Sequence, residues 1–77
     1  VSDAWMFLGN FEEGIQTEYK IRKPGNGVFI MSISGDVLIA ENLLETKDAI
    51  GIYDTNQISI QAKSQAKFLI IEVPMSL

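Results

Sequence analysis

Polar and apolar residues alternate with a period of two along much of this chain, the pattern of strands with one buried and one wet face. From Ile15 to Arg22, the residues Ile15, Thr17, Tyr19 and Ile21 share one side, and Gln16, Glu18, Lys20 and Arg22 the other. Ile58, Ile60 and Ala62 alternate in the same way with Gln57, Ser59, Gln61 and Lys63. Two further stretches are apolar in both phases. Val28 to Ile33 is interrupted only by Ser32, and Phe68 to Val73 only by Glu72. Such runs suit strands covered on both faces, and Val28 to Ile33 is therefore expected to be central. The segment from Gly27 to Ala40 is expected to organise the rest. It reads as two apolar strands joined at Gly35-Asp36 by a type II′ hairpin turn, whose first central residue needs a positive φ.

Shorter elements surround this pair. Ala4 to Leu8 is a first strand closed by Gly9-Asn10, with Phe11 and Glu12-Glu13-Gly14 as the connection. Lys23-Pro24-Gly25-Asn26-Gly27 stops the second strand, because proline lacks a donor and glycine accepts angles a strand refuses. Leu43-Leu44 returns after a turn at Glu41-Asn42, and Thr46-Lys47-Asp48 turns again into a strand from Ala49 to Tyr53. Asp54-Thr55-Asn56 is a polar loop, Ser64-Gln65 a hairpin loop, and Pro74 ends the last strand. A helix over Asp36 to Lys47 competes with this reading. Asp36 could cap it, and Val37, Ala40 and Leu44 fall at helical spacing. Leu38, Ile39 and Leu43 spread the apolar residues around such a cylinder, so strands are favoured. The prediction is an all-β sandwich or barrel of about seven to nine short, mostly antiparallel strands.

Length and charge narrow the function more than they identify it. A chain of 77 residues makes one domain, expected to span residues 1–77. Its size buries only about 60% of the surface that the unfolded chain exposes, so a partner domain or a homodimer would help. The net charge of −4 argues against a nucleic-acid partner, which calls for a basic face. No apolar run reaches the roughly 18 residues of a membrane helix, and no signal-peptide pattern opens the chain. With no cysteine there is no disulfide framework, and a cytoplasmic location is expected. The start at Val1 and the small size suggest a piece excised from a longer protein.

The absence of both histidine and cysteine removes most familiar catalytic and metal chemistry. No Ser-His or Cys-His pair can be built, nor a zinc site or an iron facial triad. Asp54-Thr55-Asn56 is too brief for a calcium loop. Glu72 has two readings: a buried carboxylate serving as acid or base, or a group pointing to solvent or paired with a lysine at the rim. Unpaired burial costs several kcal/mol, so the second is favoured. Lys20, Arg22 and Lys23 form a basic cluster that could grip a phosphate or an acidic partner, although a solvated face is the simpler account. Gly25-Asn26-Gly27 lacks the third glycine and the helix of a phosphate loop. Trp5, Phe7, Tyr19 and Tyr53 either line a ligand pocket, form the core, or meet a missing domain.

The runs G-N-G-V-F-I-M-S-I-S-G-D-V, L-L-E-T-K-D-A-I-G-I-Y-D, Ile58-Ser59-Ile60 and F-L-I-I-E-V-P-M, with Asp3-Ala4-Trp5 and Leu8-Gly9 before them, resemble the C-terminal cupin domain of pirin-like proteins. That family includes bacterial quercetin 2,3-dioxygenases. The resemblance covers essentially the whole chain and implies a cupin-like jelly-roll barrel, the C-terminal half of a two-barrel protein. In the family one metal, iron or another divalent ion, is held by histidines and a glutamate of the N-terminal barrel. On the general cupin pattern Gly35 matches the glycine closing the first motif. Val28 then falls at the glutamate position, Arg22 to Pro24 near the earlier histidines, and Ile58 near the later one. None of these carries a ligand, so the resemblance implies no catalytic and no metal-binding residue here. It implies an interior filled by apolar side chains and a structural role: packing on the N-terminal cupin domain of the same protein. A small-ligand-binding barrel is the alternative, as is an interaction module, since the family includes a nuclear transcription cofactor of animals.

Overall fold

A computed structural model describes residues 4–75; Asp3, part of the opening motif, lies outside the described residues. Eight strands follow the chain: β1 (Trp5–Phe11), β2 (Gln16–Lys20), β3 (Asn26–Ser34), β4 (Val37–Ile39), β5 (Asn42–Leu44), β6 (Ala49–Ile52), β7 (Gln57–Ala62) and β8 (Ala66–Pro74). They form two four-stranded antiparallel sheets, ordered β1-β8-β3-β6 and β2-β7-β4-β5. The all-β class, the strand number and the jelly-roll layering agree with the expectation. The sheets face one another as a sandwich with edges and do not close into one continuous barrel. Strands β4 and β5 occupy the segment where a helix had competed.

The core is the inner row of each sheet. Val28, Ile30, Phe68 and Ile70 of the first sheet and Val37, Ile39, Ile58 and Ile60 of the second are all buried in one cluster. Each such side chain contributes about 1.5–3 kcal/mol of burial. Phe11 packs edge-on against Phe68, with ring centroids 5.1 Å apart, and closes one end.

The chain does not turn where the pattern suggested. β3 pairs with β6 and β8, and β4 with β5 and β7, so Gly27 to Ala40 is not a hairpin. Gly35 does take a positive φ of 87°, but there the chain passes from one sheet to the other. The register of β3 on β8 slips between Ser32 and Ser34, and the turn's polar groups bond elsewhere. Gly35 N–H donates to Thr46 Oγ1 at 3.0 Å, Asp36 N–H to Ser64 Oγ at 3.0 Å, and Ser32 Oγ to the Gly35 carbonyl at 2.6 Å. Both edges of β3 are paired, by β6 and β8, and both of β4, by β5 and β7, so neither has a free edge for the other. Ser64-Gln65 is likewise a crossing between sheets, from β7 to β8, and not a hairpin loop.

Two further boundaries move. Gly9 and Asn10 continue β1 and do not end it. A Cβ on Gly9 would collide with the Phe68 ring, so this glycine serves close packing. β2 is an edge strand shorter than the alternation suggested. Ile15 is exposed, and of that side only Tyr19 and Ile21 reach the core. β3 is central in its sheet, as expected, and β8 lies beside it as the other central strand, but only the inner faces of both are covered.

Candidate functional site

The inner face is not wholly apolar. Asn26, Ser32 and Glu72 are buried, and Glu72 is fully so. This corrects the reading of Glu72 as a solvent-facing or lysine-paired group. In β8 it shares the phase of Phe68 and Ile70, and the ladder sets it between Trp5 on β1 and Val28 on β3. Its period-two phase was the one signal in the sequence, and it was ambiguous because Leu69, Ile71 and Val73 are equally apolar.

Burial is tolerated because the carboxylate is fully partnered. The Tyr19 hydroxyl donates to Oε1 at 2.5 Å. Oε2 accepts from Asn26 Nδ2 at 2.7 Å and the Arg22 amide at 2.8 Å, with the Lys23 amide farther off at 3.4 Å. The local sequence builds this cradle. Lys23-Pro24-Gly25-Asn26 forms a type II turn, with Pro24 presetting its φ, Gly25 at φ 89° and the Asn26 amide donating to the Lys23 carbonyl. That turn aims two backbone amides and the Asn26 side chain at one point. Burial pushes the Glu72 carboxyl up, but the hydrogen bonds from Tyr19, Asn26, Arg22 and Lys23 outweigh it and hold it below the ordinary carboxylate range. Tyr19 is pushed up to about 12 by burial and by its bond to, and the charge of, Glu72.

An ionised carboxylate with both oxygens engaged offers neither a proton near neutral pH nor an open coordination position. Among the described residues no group of three or more His, Cys, Asp or Glu could hold a metal ion. Val28 and Ile58 are core side chains and Arg22 is exposed. Neither Val28 nor Ile58 carries a side chain that ligates a metal, and the oxygens of Glu72 are already engaged. Glu72 instead pins the second sheet, through Tyr19, to the first.

Above this knot Arg22 lies 5.7 Å from the Trp5 ring centroid and 5.0 Å from that of Phe7, and Lys23 Nζ lies 5.8 Å from Trp5. Phe7 meets Tyr19 edge-on at 5.7 Å. Trp5, Phe7 and Tyr19 are thus one cluster. Tyr53 is not part of it, because β1 and β6 are opposite edges of the first sheet. Lys20 is exposed on β2. A separate polar crevice of about 580 Å³ is lined by residues including Glu18, Glu41, Asn42 and Gln57.

The feature that sequence reasoning missed is the outer face of the first sheet. Met6, Ile71, Phe29 and Gly51 stand in one row across β1, β8, β3 and β6, and Leu8, Leu69, Met31 and Ala49 in the next. Met6 is 67% exposed, Leu8 62% and Phe29 44%. At one corner the face dips into an apolar furrow of about 270 Å³ between Phe29, Tyr53, Val73 and Met75. Contiguous apolar surface of this kind marks interaction sites.

A family described as the quercetinase C-terminal cupin domain matches residues 1–73. The crystal structure of bacterial pirin YhhW from Escherichia coli in complex with nickel(II) superposes with a TM-score of 0.90 at 26% identity, over 94% of this chain and 31% of that one. Quercetin 2,3-dioxygenase from Acinetobacter baumannii shares the fold, with a TM-score of 0.83 at 21% identity over 95% of this chain and 26% of that one. So does the Cupin_2 domain of a XRE family transcriptional regulator from Enterobacter cloacae, with 0.77 at 11% identity over 96% and 83%. This chain spans less than a third of the pirin and dioxygenase chains. No curated protein matches.

Proposed function

Because this chain belongs to the quercetinase C-terminal cupin domain family, we propose that it is the non-catalytic C-terminal half of a pirin-like two-domain protein, packing on and supporting a metal-binding N-terminal cupin domain. The observation that carries this reading is the outer face of the first sheet. β3 and β8 are apolar in both phases, yet only their inner phase is buried by the second sheet. The chain thus supplies apolar residues for two layers and covers one. The pirin and dioxygenase relatives are more than three times its length, which leaves room for a domain to cover the other.

The metal of such a parent, a divalent ion as in the nickel(II) complex of the Escherichia coli pirin, belongs to the other domain in this reading. A quercetinase-type oxidation would then take place there. Glu72 supports this division of labour, since it is committed to Tyr19, Asn26 and the Arg22 amide.

Methionine oxidation tests the docking directly, because Met6 and Met31 both lie on the outer face. Peroxide should oxidise Met6 about 10-fold more slowly in the full natural chain than in the isolated 77-residue chain. Equal rates overturn the proposal. So does a natural chain holding no second β-domain, with this face closed by a second copy.

A further inference from the structure

The outer face is not evenly flat, and its one depression has a definite size and lining. Gly27 and Gly51 both belong to the outward phase, Gly27 opposite Val73 and Gly51 opposite Phe29. A Cβ on Gly51 would meet nothing within 4 Å, whereas one on Gly27 would run into the Met75 side chain. The missing side chain of Gly51 opens a furrow, while Met75 fills the space over Gly27; the furrow's walls are the rings of Phe29 and Tyr53, Val73 and the thioether of Met75. Its volume of about 270 Å³ falls below the roughly 300–1,000 Å³ of small-molecule pockets. It offers almost no polar atom to orient a ligand. Aromatic walls and a thioether suit a single aromatic ring, through edge-to-face and sulfur–aromatic contacts.

We propose that this furrow receives one aromatic side chain from the neighbouring domain and is the anchor point of the interface. The proposal rests on the docking reading above, and it names the chemistry of the contact. The furrow is continuous with the Met6–Ile71–Phe29–Gly51 row, so whatever covers that row passes over it. Interfaces concentrate their affinity in such desolvated pockets filled by an aromatic residue. Tyr53 and Met75 are 64% and 50% exposed, which is costly surface unless something is seated between them.

The test compares Met6 and Met75 within the same peroxide experiment and adds Gly51→Leu, which fills the furrow from an open position on an edge strand. In the full natural chain Met75 should be protected together with Met6, each by about 10-fold. Gly51→Leu should abolish both protections while moving the melting temperature of the isolated chain by no more than about 2 °C. Protection of Met6 with an unprotected Met75, or docking that survives Gly51→Leu, overturns the anchor while the docking reading stands. Loss of both protections in the unsubstituted chain overturns the docking reading itself. A Gly51→Leu chain that fails to fold is replaced by Tyr53→Ala, which removes one wall and should speed Met75 oxidation in the full chain only.

Discussion

Replacing Glu72 by glutamine isolates the charge of the buried carboxylate, because the side chain keeps its shape. The carbonyl oxygen of the amide still accepts from Arg22 N–H and Asn26 Nδ2, and the Tyr19 hydroxyl turns to accept from the new NH2 group. What is lost is the charge assistance on three short bonds of 2.5–2.8 Å. A charged hydrogen bond contributes about 1.5–3 kcal/mol and a neutral one about 0.5–1.5, so three bonds lose about 3–4.5 kcal/mol gross. Relief from burying an ion works in the opposite direction. The lowered pKa decides between them: despite burial, the folded state prefers the ionised form. The net expectation is a destabilisation of about 2 kcal/mol, or about 8–16 °C in melting temperature for a domain this small.

Urea unfolding followed by the fluorescence of Trp5, which neighbours the knot, measures it. The effect is also pH-dependent. The folded pKa of Glu72 lies below its unfolded value, so the unfolded chain binds more protons at low pH. This stabilisation is fully present above the ordinary carboxylate value of 4.5 and is lost as pH falls through the lower folded value. The gap between wild type and Glu72→Gln should therefore close on acidification. A destabilisation below about 0.5 kcal/mol at neutral pH, within the scatter of surface substitutions, would refute the reasoning. So would a gap that is constant as the pH is lowered.

Three other outcomes follow from the same structure. In a Tyr53→Phe variant, the tyrosinate absorbance of Tyr19 should rise at about 12 and not at 10.0, and Glu72→Gln should lower that midpoint. The raised folded pKa also means that this part of the stability is present below pH 10.0 and declines as pH approaches 12. Gly35→Ala should cost about 2–3 kcal/mol in urea unfolding, because φ is 87° there and the new Cβ meets the Gln65 carbonyl. Gly9→Ala should cost about 1–3 kcal/mol by displacing the Phe68 ring, and a near-neutral result would show that β1 is free to shift.

The positions of the strands and most of the turns were set by the sequence alone. Alternation placed β7, punctuation by Pro24 and Gly25 placed the turn before β3, and the double-phase apolar run from Val28 to Ile33 marked β3 as central. The family likeness was equally legible. Strand pairing was not, because local patterns carry no information on which strand faces which. Gly35 has the backbone angle of a hairpin turn, yet only the competition between sheets sends β4 across the core. The phase of β8 was undetermined for a related reason. Both of its faces are apolar, so whether Glu72 points in or out depends on the donors waiting there. Tyr19 and the Arg22–Asn26 turn lie some fifty residues away along the chain, and only the tertiary structure brings them to the carboxylate. The same ambiguity hid the outer face: two apolar phases say that two layers are wanted, and the folded domain shows which one it leaves uncovered.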